Sequence, residues 1–219
     1  GIKSDELTQF ADVLAQEIVK IEPTCMLHPN IKAAYEKNKE AGISQEGVHI
    51  LTTNGEEVKS NYSRQIISKV AGSTFLANPT LHQEVFGPFS LIVECENAIQ
   101  LEQIIEQLEG QLTGTVIAEG EDLSVHKNVI TSLQNRVGRI IFNGVPTGVE
   151  VCPSMQHGGP YPASTDSRFT AVGVDSIKRW VRPFSFQSWP NQLLPDALKD
   201  ENPLTILRTV NGVKTIDKI

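Results

Sequence analysis

The chain has 219 residues, of which 39% are hydrophobic and 21% charged, a balance typical of a globular protein with a substantial core. Its formal charge of -7 is moderate and forms no long block of one sign, which argues against binding to nucleic acid or to an anionic membrane surface. The apolar stretches are much shorter than the roughly 20 residues that a membrane-spanning helix needs. No transmembrane segment is therefore expected.

The N-terminus and the cysteines bear on processing and compartment. The chain begins with Gly1 and shows no basic region followed by an apolar run, so we expect a processed or truncated chain without a secretory signal. Cys25, Cys95 and Cys152 are far apart, and the sequence has no CxxC pair and no His at metal-ligand spacing. This spacing predicts neither a disulfide framework nor a metal site, and it favours a reducing cytoplasm.

The first elements in chain order are two helices and a short strand. Over residues 4–21 apolar side chains recur every three or four positions, the spacing of an amphipathic helix with Ser4 or Asp5 as its N-cap. Residues 31–39 are rich in Ala, Lys and Glu and predict a second helix. Residues 48–51 are β-prone and predict a short strand.

A turn signal at Asn54-Gly55 precedes two apolar segments. Residues 65–76 are apolar and β-branched in patches, and residues 89–95 form a nearly continuous apolar run of the kind seen in buried parallel strands. We therefore predict a strand in each segment. Residues 78–88 between them are expected to form a loop near the strand ends.

Helices and strands alternate in the next part of the chain. Residues 98–108 and 122–133 predict helices, and residues 112–118 and 139–142 predict strands. This alternation is typical of βαβ units, so the sequence predicts an α/β fold with a right-handed, mostly parallel, twisted sheet flanked by helices. Ligands bind such sheets beyond the carboxyl ends of the strands. The loops after residues 65–76 and 139–142 are therefore expected at the functional edge.

Periodicity disappears over residues 143–170, which are rich in Gly, Pro, Ser and Thr. Structureless loops of this length inside a compact domain usually carry function. The elements predicted after this long loop are a helix at 171–180 and strands at 181–189 and 204–210. We divide the chain into a main domain, residues 1–180, and a terminal strand and tail, residues 181–219.

Residues 75–88 read Phe-Leu-Ala-Asn-Pro-Thr-Leu-His-Gln-Glu-Val-Phe-Gly-Pro, and their last five residues resemble the Glu-[Ile/Val]-Phe-Gly-Pro motif of aldehyde dehydrogenases. In that family the glutamate, here Glu84, hydrogen-bonds the ribose hydroxyls next to nicotinamide, and the phenylalanine, here Phe86, packs beside the nicotinamide. A carboxylate accepts from two vicinal hydroxyls, and an apolar ring positions a flat heterocycle. The resemblance thus implies NAD or NADP as cofactor, bound in part by Glu84 and Phe86.

Further stretches agree with the family in order and spacing. Residues 138–144, Gly-Arg-Ile-Ile-Phe-Asn-Gly, resemble the strand that leads into the family's substrate loop. Residues 156–166, Gln-His-Gly-Gly-Pro-Tyr-Pro-Ala-Ser-Thr-Asp, resemble the subgroup that oxidises semialdehydes such as α-ketoglutarate semialdehyde, and residues 182–187 and 193–198 agree with it. The resemblance covers essentially the whole chain, but only about the C-terminal half of the family's architecture.

The resemblance implies an enzyme that oxidises a small semialdehyde to the carboxylic acid through a cysteine thiohemiacetal and a thioester. The family's nucleophilic Cys and general-base Glu lie upstream of these residues, so no catalytic residue maps here and the chain alone is expected to be inactive. The expected substrate-binding residues in the loop are Val151, Cys152, Met155, His157 and Gly158. A substrate carboxylate would meet Ser154, Ser164 or Arg168.

Two other hypotheses remain open. One is a naturally short, non-enzymatic interaction module that keeps the fold and dimerises through its tail. The other is a cysteine-dependent hydrolase that uses Cys152. The family resemblance also implies that residues 181–187 add a strand to the sheet of a neighbouring subunit, so a homo-oligomer is expected; an ordinary edge strand of the same chain is the alternative.

Overall fold

The structure is a computed structural model that describes residues 1–52, 55, 58–146 and 148–219. The chain divides into two compact units, Gly1–Arg179 and Trp180–Ile219. In the described ranges no helix is both long enough and apolar enough to cross a membrane. Asn54 of the expected turn lies outside the described residues.

The first unit is a mixed arrangement of helices and strands. Its helices are α1 (Asp5–Ile18), α2 (Pro29–Ile43), α3 (Gly72–Ala77), α4 (Ala98–Gln107), α5 (Gly120–Val125) and α6 (Lys127–Gln134). Its strands are β1 (Thr24–Cys25), β2 (His49–Ile50), β3 (Tyr62–Ser63), β4 (Ile66–Ala71), β5 (Phe89–Glu94), β6 (Gln111–Val116) and β7 (Val137–Phe142). Short 3₁₀ helices cover Pro79–His82 and Val174–Arg179.

The two N-terminal helices begin where their caps predict. The hydroxyl of Ser4 accepts a hydrogen bond of 3.1 Å from the backbone N–H of Leu7, so the expected N-cap of α1 is confirmed. Helix α2 begins at Pro29, which has no N–H to leave unsatisfied at the first helical position, and His28 Nδ1 accepts from the N–H of Asn30 at 3.1 Å. Helix α2 is longer than the predicted span of residues 31–39.

Parallel strand pairs joined by helices form the frame of this unit. Strands β4 and β5 pair in parallel, with Ile66 opposite Phe89, and β2 adds to β4 in the antiparallel sense. Strands β6 and β7 also pair in parallel, with Gln111 opposite Val137, and α5 and α6 connect them. The predicted α/β class is confirmed, with its parallel pairs divided between two sheets.

The core of the unit lies between the β4–β5 pair and the helices α3 and α4. Its buried members are Val70, Phe75, Leu81, Cys95 and Ile104. Burial of each large apolar side chain contributes about 1.5–3 kcal/mol. The strand predicted over residues 65–76 is wrong after Ala71, because Phe75 and Leu76 belong to α3. A short apolar run does not distinguish a strand from a buried helix, and here the chain turns at Gly72 against α4.

Two predicted helices also differ from the structure. The helix expected over residues 122–133 is divided into α5 and α6 at His126, whose φ of -107° and ψ of 34° are not helical. Its start lies earlier, because Glu119 and Asp122 form a reciprocal capping box. The helix expected over residues 171–180 is the 3₁₀ helix Val174–Arg179.

The second unit is built from turns and one hairpin. Strands β8 (Arg208–Val210) and β9 (Val213–Thr215) pair in the antiparallel sense around Asn211 and Gly212, both at positive φ. A two-residue turn of that kind matches the twist of a hairpin. The strand predicted over residues 204–210 is thus confined to its last three residues. Residues 181–189 form no strand within this chain.

Candidate functional site

The chain just before Glu84 is held by local contacts. Asn78 caps the 3₁₀ helix there, its Oδ1 accepting from the N–H of Thr80 at 3.1 Å. His82 stacks on Phe75 with ring centroids 4.4 Å apart, and its Nε2 lies 2.8 Å from the carbonyl oxygen of Phe75. Because Phe75 belongs to the core, these contacts fix the backbone that carries Glu84.

The chain after Phe86 is held by Tyr35, which is 1% exposed. The Tyr35 hydroxyl lies 3.3 Å from the carbonyl oxygen of Pro88, and a Cβ atom on Gly87 would overlap the Tyr35 ring. Burial raises the pKa of Tyr35 to about 12, and the charge of Glu36 acts in the same direction. The motif is thus fixed at both ends, while Glu84 is exposed and Phe86 is 62% exposed.

Glu84 lines a cleft with a volume of about 650 Å³. The other side of this cleft is formed by residues 110–113 at the start of β6 and by Pro162 and Ala163 of the long loop. Ligand pockets have volumes of roughly 300–1,000 Å³. The structure therefore brings Glu84 and the end of the long loop to one cleft of suitable size.

Glycines let the long loop pack directly on β6 and β7. A Cβ atom on Gly138 would overlap the carbonyl oxygen of Gly158, and one on Gly110 would overlap that of Pro160. The N–H of Gly110 donates to the carbonyl oxygen of Tyr161 at 3.1 Å. These contacts lie at the amino ends of the strands, whereas the sequence prediction placed the functional loops beyond their carboxyl ends.

Buried hydroxyl groups fix the interior of the long loop. The Thr170 hydroxyl accepts from the N–H of His157 at 3.0 Å and lies 3.3 Å from the carbonyl oxygen of Met155. The Ser164 hydroxyl accepts from the N–H of Gly159 at 3.0 Å. The Ser164 hydroxyl is therefore already engaged in a hydrogen bond within the loop.

Arg168 is also engaged within the loop. Its Nε and Nη2 donate to the two carboxylate oxygens of Asp166 at 2.9 and 2.6 Å. These hydrogen bonds lower the pKa of Asp166 to about 2. Because the charge of Asp166 already pairs with this guanidinium, Arg168 is a poorer candidate for a substrate carboxylate than the sequence suggested.

The structure separates the two groups of predicted site residues. The described residues that line the Glu84 cleft include none of the predicted substrate-binding residues Val151, Cys152, Met155, His157 and Gly158. Val151 is 78% exposed, whereas Gly158 is buried against Gly138. The Cys152 sulfur lies 3.5 Å from the Ser154 hydroxyl.

One residue near these candidates was not predicted. Met155 Sδ accepts a hydrogen bond of 3.3 Å from Arg139 Nη1, which places Arg139 of β7 against the long loop. Alternation along a short strand gives no indication that one side chain meets a loop so many residues away. Only the packing of the loop on β7 reveals this contact.

The fold is that of part of an aldehyde dehydrogenase. Superposition on Δ-pyrroline-5-carboxylate dehydrogenase from Mycobacterium tuberculosis gives a TM-score of 0.64 at 16% identity and covers 88% of this chain and 38% of that one. The NADP+ complex of succinic semialdehyde dehydrogenase from Streptococcus pyogenes gives 0.56 at 18% identity, covering 72% and 35%.

The sequence comparison is more specific. The chain is 39% identical over 216 residues to an α-ketoglutaric semialdehyde dehydrogenase of Acinetobacter baylyi, and 37% identical over 213 residues to α-ketoglutaric semialdehyde dehydrogenase 2 of Azospirillum brasilense. These alignments cover 98% and 97% of this chain but only 41% and 40% of the two relatives. No protein-family model matches the sequence. The predicted resemblance to aldehyde dehydrogenases is confirmed, and the chain spans about two fifths of the curated relatives that it matches.

Proposed function

We propose that this chain supplies the nicotinamide-side and aldehyde-side surfaces of an NAD(P)-dependent aldehyde dehydrogenase. The reaction is the oxidation of a small semialdehyde, such as α-ketoglutarate semialdehyde, to the carboxylic acid. The observation that carries the proposal is the exposed Glu84 in a cleft of about 650 Å³ that it shares with the long loop. The similarity to two α-ketoglutaric semialdehyde dehydrogenases supports the substrate class.

Glu84 and Phe86 suit the nicotinamide half of the cofactor. Within the described ranges, no hydrogen bond or ion pair engages the Glu84 carboxylate, so both of its oxygens are available to vicinal ribose hydroxyls. The Phe86 ring, 62% exposed, offers an apolar face for a flat heterocycle. NAD(P), when bound, supplies the hydride acceptor of the oxidation.

The long loop is proposed to form the aldehyde-side wall and to contribute the substrate-binding residues Val151, Cys152, Met155, His157 and Gly158. The buried hydroxyls of Thr170 and Ser164 support this role, because they hold the loop in one conformation. A preformed wall positions the substrate at a lower entropic cost than a flexible one. The loop therefore contributes orientation rather than proton transfer.

No residue of this chain is assigned as nucleophile or general base, so we propose that the chain alone does not oxidise aldehydes. The hydrolase alternative would need a base beside Cys152. In the described ranges the hydrogen-bonding neighbour of the Cys152 sulfur is the Ser154 hydroxyl, which is not a base at neutral pH. This favours the dehydrogenase over the hydrolase.

A Glu84→Gln variant of the complete translation product tests the cofactor role. The amide keeps the shape but loses the charge, so the KM for NAD(P) is expected to rise about tenfold while the KM for the aldehyde stays within about twofold. NAD(P)H formation, followed by near-ultraviolet absorbance, measures both. The control is Glu46→Gln, an exposed carboxylate outside the cleft. Equal cofactor KM values for the two variants would contradict the assignment.

The proposal includes a homo-oligomer formed through residues 181–187. This segment has no strand partner among the described residues of its own chain, and Phe184 within it is 67% exposed. Edge pairing with a second subunit would satisfy its backbone groups. Gln187→Pro removes one N–H donor and is expected to shift the sedimentation of the complete product towards the monomer; unchanged sedimentation would contradict this interface.

The isolated free cysteines support a reducing compartment.

A further inference from the structure

An arginine with unused hydrogen-bond donors lies beneath the long loop. Arg139 is half-buried on β7, and its Nη1 donates to the thioether of Met155 at 3.3 Å, which is a weak acceptor. Its Nε is buried and has no hydrogen-bond partner among the residues that the structure describes. In the part of the chain that the structure describes, Arg139 forms no ion pair. A guanidinium has five N–H donors, and the hydrogen bond to Met155 uses one of those on Arg139.

The loop that contacts Arg139 is held by hydrogen bonds and by backbone packing. Next to Arg139, Gly138 packs directly under the backbone of Gly158. On the other side, the Thr170 hydroxyl binds the N–H of His157 and lies beside the carbonyl oxygen of Met155. Through Met155, the guanidinium therefore contacts the segment that we propose as the aldehyde-side wall.

Arg168 and Arg136 already have oxygen acceptors as partners. Arg168 forms two hydrogen bonds to the carboxylate of Asp166, and its side chain is 78% exposed. Arg136 donates to the carbonyl oxygen of Glu106. By contrast, the sulfur of Met155 is a poor partner for a buried positive charge. Arg139 is thus a group that an anion would stabilise.

We propose that Arg139 binds the carboxylate of the semialdehyde substrate and so selects charged aldehydes over neutral ones. This inference rests on the proposed function and identifies a specificity residue for it. A planar guanidinium matches a carboxylate through two parallel, charge-assisted hydrogen bonds. Such bonds would replace the single contact with the Met155 thioether and would satisfy the Nε that now has no acceptor.

The test compares two aldehydes of equal carbon number in the complete translation product. For Arg139→Gln we expect the KM for α-ketoglutarate semialdehyde to rise about 10–100-fold, because the variant cannot form charge-assisted hydrogen bonds to the carboxylate. The value of kcat/KM for pentanal, which has no carboxylate, should stay within about threefold of wild type. Arg139→Lys should recover part of the loss, and Arg168→Gln, the matched control, should lose little.

An equal loss for both aldehydes, or no loss for the semialdehyde, would overturn the inference, since it would leave Arg139 with a purely structural role. Inactivity of the complete product towards both aldehydes would overturn the proposed function instead. In that case, calorimetry of glutarate binding to this chain tests whether Arg139 binds a carboxylate. Saturable binding that Arg139→Gln abolishes would support the carboxylate site. The absence of binding would overturn it. Thermal unfolding verifies that each variant is folded.

Discussion

Gly138 and Gly158 lie so close together that a Cβ atom on Gly138 would overlap the carbonyl oxygen of Gly158. The two glycines thus bring the backbone of β7 and that of the long loop into direct contact. Neither position has a positive φ, so close approach rather than backbone conformation is what requires glycine. This contact places the loop against the amino end of β7.

Gly138→Ala is expected to lower the free energy of unfolding by about 2–3 kcal/mol, because the obstructing atom is backbone and the loop must move. Urea denaturation measures this change. The matched control is Gly120→Ala in α5, where a Cβ atom meets nothing within 4 Å and a helical Ala is favourable by up to about 1 kcal/mol. Equal urea denaturation midpoints for the two variants would contradict the packing of the loop on β7.

Thr170→Val tests the anchor inside the long loop. Valine has the shape of threonine but leaves the N–H of His157 without its acceptor, so we expect a loss of about 1–3 kcal/mol in unfolding free energy. The exposed Thr165 provides the control, since Thr165→Val removes no described hydrogen bond. Faster amide hydrogen exchange at His157 in the Thr170 variant alone would support the anchor, and equal protection in both variants would argue against it.

Tyr35 predicts a loss of stability at alkaline pH. Its folded pKa of about 12 lies above the ordinary value of 10.0, so the folded state holds the phenol proton more tightly than the unfolded state. The stabilisation is complete below about pH 10 and is lost as the pH rises through 12. Unfolding free energy should therefore fall more steeply over this range in wild type than in Tyr35→Phe. Parallel curves for the two proteins would contradict the buried environment of this hydroxyl.

Arg168 controls the titration of Asp166. Because the hydrogen bonds from Arg168 lower the pKa of Asp166 to about 2 from the ordinary 3.8, Arg168→Gln should raise it towards 3.8. In wild type this pair contributes stability above about pH 4 that is lost as the pH falls through 2, and the variant has less to lose. Carboxyl NMR titration gives the pKa directly. If the pKa of Asp166 in the variant equals that in wild type, the Arg168–Asp166 pair does not form in solution.

Local patterns predicted the helices and strands whose apolar residues face one core. Helix α1 has its expected cap, and β5 matches the apolar run of residues 89–95 almost to its ends. The strand prediction fails at Phe75 because an apolar residue suits a buried helix as well as a strand, and tertiary packing selects between them. Glu84 and Phe86 are predicted as cofactor-binding residues from family resemblance alone, since local chemistry does not distinguish them from other exposed residues.

No pattern in the sequence predicts how the long loop packs on the strands. Its glycines indicate conformational freedom, but they do not reveal that Gly158 packs on Gly138 or that Met155 meets Arg139. Those contacts join residues that are distant in the chain, and periodicity describes only neighbours. The candidates for a substrate carboxylate, Ser164 and Arg168, were chosen by residue type, and the structure shows both engaged within the loop.

The most direct test of the account is NAD(P)H formation from α-ketoglutarate semialdehyde, measured for the complete translation product and for this chain alone. We expect the complete product to be active and this chain to be inactive, because we propose that this chain carries cofactor- and substrate-contacting surfaces but no nucleophile. Activity of this chain alone would contradict the account, since a cysteine within it, Cys152 above all, would then have to be the nucleophile.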